Sequence, residues 1–123
     1  MDIKQVCFIA LCIVVATVGQ CFAQINTGNE IQEACLKTLQ ENRKERLTGV
    51  DSYEAGFCQG FFQATINLSN GLAEPYRFCA PKGVANGQAI RVFLKYLNEH
   101  PEVTHNDAGT LAVRAFKAAW PCQ

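Results

Sequence analysis

The chain opens on Met1, Asp2, Ile3 and Lys4 and then runs from Val6 to Val18 without a charge. Gln20, Cys21, Phe22 and Ala23 follow, with small residues at the two positions a signal peptidase reads. A basic start, an apolar run and a small-residue cleavage site make up a secretory signal, so residues 1–23 are expected to leave the protein. The run is short of the ~20 residues a bilayer span needs, which weighs against the alternative of a retained anchor. A lipid anchor at Cys21 is the other alternative, and Gln20 is a poor residue to precede it.

Beyond the leader the apolar positions take up a helical period. Ile31, Cys35 and Leu39 recur every four residues and predict a first helix over 30–45, capped by Asn29. Arg43, Lys44 and Arg46 suit its C-terminal dipole, and Gly49 is expected to end it. A second helix is predicted over 52–68, opened by Asp51 with Glu54 three residues on. It carries an aromatic stripe of Tyr53, Phe57 and Phe61 beside a small-residue stripe of Gly56, Gly60 and Ala64. Glycine weakens a helix by about 1 kcal/mol, so that stripe points to core packing or to the close approach of another helix backbone. Asn70-Gly71 ends the helix, and residues 71–87 form a loop with Pro75, Cys79 and Pro81.

The third helix is predicted over 88–98, with Ile90, Phe93, Leu94 and Leu97 on one face and Asn86 able to cap it. Pro101 stops it. The fourth runs over 105–120 from a cap signal of Thr104 and Asp107, burying Ala108, Leu111, Ala112, Ala115, Phe116 and Ala119. The fold class is therefore all-α: a small bundle of about four helices, forming a single domain over 24–123.

Composition refines this picture. Removal of the leader takes Cys7, Cys12 and Cys21 with it, leaving Cys35, Cys58, Cys79 and Cys122. An even number in a small exported chain reads as a disulfide framework, with three pairings open to four cysteines. Helix geometry favours one of them. The third and fourth helices share a short loop and should lie antiparallel, which brings Cys79, before the third, beside Cys122, just after the fourth. Cys35 and Cys58 then staple the first two helices. Residues 24–123 hold ten Lys plus Arg (eleven less Lys4) and ten Asp plus Glu (eleven less Asp2), so net charge is zero. With no basic block, nucleic acid is not expected as a partner. Once the signal is cleaved, neither is a membrane.

Candidate chemistry is sparse. With the cysteines oxidised, no nucleophile stands beside a base, and no phosphate loop or Ser-His-Asp set is present. His100 and His105 flank one loop, near Glu102 and Asp107, but their spacing matches no metal motif. The chain is read as a non-enzyme without cofactor or metal.

Four motifs then occur in order. They are Tyr53-x-x-Gly56-x-x-x-Gly60; Phe78-Cys79-x-Pro81-x-Gly83-Val84-x-x-x-Gln88; Tyr96-Leu97-x-x-His100-Pro101-Glu102; and Ala115-x-x-x-Ala119-Trp120-Pro121-Cys122. Together, over about residues 31–122, they resemble the Rap/Tai immunity proteins of type VI secretion amidase effectors. One departure is Ala85, where that family usually carries a threonine able to cap the third helix, so capping is expected to fall to Asn86. The resemblance implies a periplasmic helical protein, often a homodimer, that binds a cognate peptidoglycan amidase effector and blocks its active site, commonly with a loop. The loop implied here is residues 98–107, with Asn98, His100, Glu102, His105 and Asn106 as its contact residues. The other readings are a periplasmic stress or chaperone-like protein, and a carrier of a small apolar ligand suggested by Phe57, Phe61 and Phe62.

Overall fold

A computed structural model of the chain describes residues 25–41 and 48–123. The signal segment 1–23 and the basic run at Arg43, Lys44 and Arg46 lie outside the described residues. Among the described residues there are four α-helices and no strand: α1 Gly28–Glu41, α2 Gly49–Leu68, α3 Asn86–Glu99 and α4 Ala108–Ala119. Short 3-10 turns follow α2 at Ser69–Gly71, recur at Glu74–Tyr76, and lead out of α3 at Pro101–Val103.

Reciprocal caps set the starts of α1 and α2 and a one-way cap sets that of α4, and these three caps sit a few residues from where the sequence suggests. Thr27, not Asn29, opens α1. Its hydroxyl accepts the Glu30 amide at 3.4 Å, and the Glu30 carboxylate accepts the Thr27 amide at 2.9 Å. In α2 the capping box is Thr48 with Asp51, so Asp51 stands three residues inside the helix rather than before it. Gly49, expected to end the first helix, is the first residue of α2. The α4 cap is Asp107, whose carboxylate accepts the Thr110 amide at 2.7 Å. Thr104 instead bonds the Pro101 carbonyl within the preceding turn. At α3 the capping residue is Ala85, which has no side chain to offer. Asn86 does not replace it: its amide reaches back to the Gln59 carbonyl on α2 at 3.4 Å.

α1 and α2 form an antiparallel hairpin. Cys35 is bonded to Cys58 with Cα atoms 5.2 Å apart, and the buried Thr38 hydroxyl donates to the Ala55 carbonyl at 3.0 Å. Lys37 and Asp51 pair at 2.9 Å. The Thr48 hydroxyl and Lys37 together hold the Asp51 carboxyl below its usual range, and Asp51 in turn raises Lys37. α3 and α4 form the second hairpin. Cys79 and Cys122 close its open end, Cα to Cα 5.0 Å, beside a backbone bond from Cys79 to the Trp120 carbonyl at 2.8 Å. Both pairings are the ones expected from helix geometry. The loop before α3 turns at Gly83, whose φ of 82° favours glycine.

The two hairpins meet on aromatic rings. Phe62 of α2 lies 5.0 Å from Phe93 of α3 and 5.7 Å from Phe116 of α4, centroid to centroid. Phe78 and Trp120 flank Phe116 at 5.2 Å each. Ile31, Ile90, Leu97 and Leu111 complete the fully buried centre. Two sequence expectations fail here. On α2 the buried residues are Ala55, Cys58 and Phe62. Gly56, Gly60 and Ala64 face solvent, and a Cβ at either glycine would touch nothing within 4 Å. Tyr53 is likewise exposed, while Phe57 and Phe61 are half-buried at the core edge. On α4, Ala119 is exposed rather than buried. The rotation of α2 follows Phe62, the Cys58 disulfide and the Thr38 bond to Ala55 rather than the longer stripe of rings.

Candidate functional site

The α3–α4 connection is held in one shape by its own turns. His100 caps α3, its amide donating to the Tyr96 and Leu97 carbonyls, and its ring lies tilted against Tyr96 with centroids 4.5 Å apart. Pro101 starts a 3-10 turn that closes with Val103 bonding the His100 carbonyl at 3.2 Å. Asn106 then bonds the Val103 carbonyl at 2.9 Å. His100 Nδ1 lies 3.5 Å from Glu102 Oε1, an ion pair whenever the imidazole is protonated.

The candidate contact residues fall into three kinds. His100 and Glu102 are brought together as this pair, and the Glu102 side chain is 66% exposed. His105 is exposed at the tip. Asn98 stands on the last turn of α3 rather than on the loop, also exposed. Asn106 is half-buried, and its carbonyl is taken up by a structural bond.

That bond comes from a segment the sequence reading passed over. Gly28 donates to the Asn106 carbonyl at 2.9 Å, Asn29 to the Thr104 carbonyl at 2.9 Å, and Ala108 to the Asn26 carbonyl at 2.8 Å. Thr27 and Asp107 face each other as an isolated antiparallel bridge. The two carboxylates at this junction, Glu30 and Asp107, are both held below the usual carboxylate range. The Thr27 and Asn26 amides do this for Glu30, and the Thr110 amide for Asp107. Each sits at a helix N-terminus, where the dipole also favours negative charge. The Thr27-x-x-Glu30 capping box was an available signal for the start of α1, though not for its contact with the loop.

Elsewhere the surface carries a shallow groove of about 580 Å³ between α4 and the 3-10 turn at Glu74–Tyr76, with Tyr76, Val113 and Arg114 in its lining. No group of three metal-binding side chains occurs among the described residues, and none of their helices is long and apolar enough to cross a membrane. The phenylalanines that suggested a ligand carrier are engaged with one another: Phe61 and Phe62 meet edge to face at 5.0 Å, and Phe62 is fully buried.

The structure thus presents a tightly turned polar loop on a doubly stapled helical scaffold. Comparison with known proteins places the scaffold in a family. Residues 27–122 match the family described as Rap1a immunity proteins. The chain belongs to the Rap1a immunity protein family. None of the curated proteins and none of the solved structures gives a match. Membership implies an immunity protein that binds a cognate effector, an inhibitor's role rather than an enzyme's. The match starts at Thr27 and ends at Cys122, so it takes in both the capping threonine of α1 and the last disulfide cysteine.

Proposed function

We propose that this Rap1a immunity protein is exported to the periplasm, loses residues 1–23, and inhibits a peptidoglycan amidase delivered by type VI secretion. Its contact surface is the loop of residues 98–107, presented to the enzyme's cleft, with His100, Glu102 and His105 supplying hydrogen bonds and Asn98 flanking them. Asn106 contributes through its backbone, by fixing the loop. The protein works as a homodimer.

The observation that carries the reading is family membership of a two-disulfide helical domain whose polar loop is internally bonded. Disulfides persist outside the reducing cytoplasm, which fits export. A preorganised loop meets a partner without paying again for its own ordering, and that suits an inhibitor working by surface complementarity. The test is a pulldown and a peptidoglycan cleavage assay with the amidase encoded beside this protein. Complex formation and loss of cleavage at equimolar protein are expected. Full amidase activity at excess oxidised protein would sink the assignment.

A further inference from the structure

We propose that residues 26–29 are a clamp that preorganises the effector-facing loop, with Gly28 as its positioning residue. This rests on the reading of residues 98–107 as the contact surface.

The loop's own turns define its curvature, but they do not anchor it to the bundle. Its later half, from Thr104 to Ala108, is tied down from outside by the segment that leads into α1. Two amides, of Gly28 and Asn29, take the Asn106 and Thr104 carbonyls, and the Asn26 carbonyl takes the first amide of α4. Helix ends and turns leave such donors and acceptors without a partner of their own, and here the two segments supply one another's. The approach that allows this is closer than any side chain permits. A Cβ at Gly28 would stand 2.5 Å from Leu111 Cδ1 and 2.7 Å from the Thr104 carbonyl oxygen. The Leu111 side chain can rotate, whereas the Thr104 oxygen belongs to the loop backbone being held. Any residue other than glycine therefore pushes the clamp and the loop apart. The Thr27 and Glu30 capping box fixes the segment from the α1 side, and the Asp107 cap fixes the loop from the α4 side.

The clamp changes recognition rather than folding. α1 remains stapled to α2 through Cys35–Cys58, and α4 to the loop before α3 through Cys79–Cys122. Loosening residues 26–29 leaves the bundle intact and returns the ordering cost of the loop to the binding step.

The experiment uses the exported, oxidised full-length mature protein and the amidase encoded beside it. Gly28→Ala is compared with wild type and with Gly60→Ala, a glycine whose added methyl meets open space. Amide exchange and 15N relaxation are measured for the free proteins, and affinity for the amidase is measured at 25 °C. For Gly28→Ala, exchange at residues 28 and 29 is expected to rise roughly ten-fold or more, with fast motion appearing at residues 104–107 and α2 and α3 unchanged. Affinity is expected to fall about ten-fold, through a slower on-rate. Gly60→Ala shows neither change. If Gly28→Ala folds poorly, Gly28→Ala with Leu111→Val removes the side-chain conflict and keeps the one with Thr104. The same loosened loop is then expected. A loop that stays rigid in both variants overturns the clamp. A loosened loop with unchanged affinity overturns its role in recognition and leaves the immunity reading intact. Absence of binding by wild type refutes the immunity pairing, and the relaxation data still judge whether residues 26–29 hold the loop.

Discussion

Replacement of Cys79 and Cys122 by serine is the perturbation with the largest calculable effect. The bond closes 43 residues of chain. In the loop-entropy account, with ΔS of about −2.1 − 1.5R ln n, its removal returns about 4.0 kcal/mol of entropy to the unfolded chain at 25 °C. Cys79 and Cys122 are both exposed, so serine adds no buried unsatisfied hydroxyl and leaves no cavity. The Cys79 bond to the Trp120 carbonyl and the stacking of Trp120 on Phe116 survive in the folded state. The loss therefore falls almost wholly on the unfolded chain. For a domain of about 100 residues, 1 kcal/mol shifts Tm by roughly 4–8 °C, so the variant should melt about 16–32 °C lower. The assay is thermal unfolding followed by circular dichroism without reductant, wild type against Cys79→Ser/Cys122→Ser. A difference under about 5 °C would show that the 43-residue loop is already closed in the unfolded ensemble, and would refute the calculation.

Three further outcomes follow from the same structure. Phe62→Ala removes the ring at which α2, α3 and α4 meet and should destabilise by about 3–5 kcal/mol, measured by urea unfolding. Gly60→Ala should instead stabilise by up to about 1 kcal/mol, because its new methyl meets nothing and alanine favours the helix; destabilisation would mean that this face is covered by another chain. The Glu30 and Asp107 carboxyls titrate lower in the folded protein than in the unfolded one. Their contribution is therefore present above the ordinary carboxylate pKa, about 4, and is lost as pH falls below it through their folded values. Protection factors at residues 26–29, with exchange corrected for its intrinsic pH dependence, should fall over that acidic window, and protection unchanged between pH 6 and pH 3 would contradict it.

Much of the scaffold was legible because its signals were local and strong. A four-residue apolar period marked α1, α3 and α4, and the short connection between α3 and α4 made them antiparallel, from which both disulfides followed. The rotation of α2 was not legible. Tyr53, Phe57 and Phe61 form as good a stripe as Ala55, Cys58 and Phe62, and only the partners of Phe62 on α3 and α4 choose between them. The caps slipped because Thr27, Thr48 and Asp107 compete with acceptable neighbours a few residues away, and the bonds formed, reciprocal at Thr27 and Thr48 and one-way at Asp107, select one. At Ala85 the expected compensation by Asn86 did not occur, since the Asn86 amide is drawn to Gln59 on α2. The polar loop could be located from His100, Pro101 and Glu102, but its attachment could not. Residues 26–29 and 104–108 are distant in sequence, and nothing in either pattern pairs them before the bundle closes.

The most direct test of the central claim is survival of a sensitive cell that makes the neighbouring amidase in its periplasm, with and without this protein exported alongside. Growth restored by wild type, and lost when the leader of residues 1–23 is deleted, is the predicted result. Continued lysis with the protein present, folded and oxidised in the periplasm would contradict it.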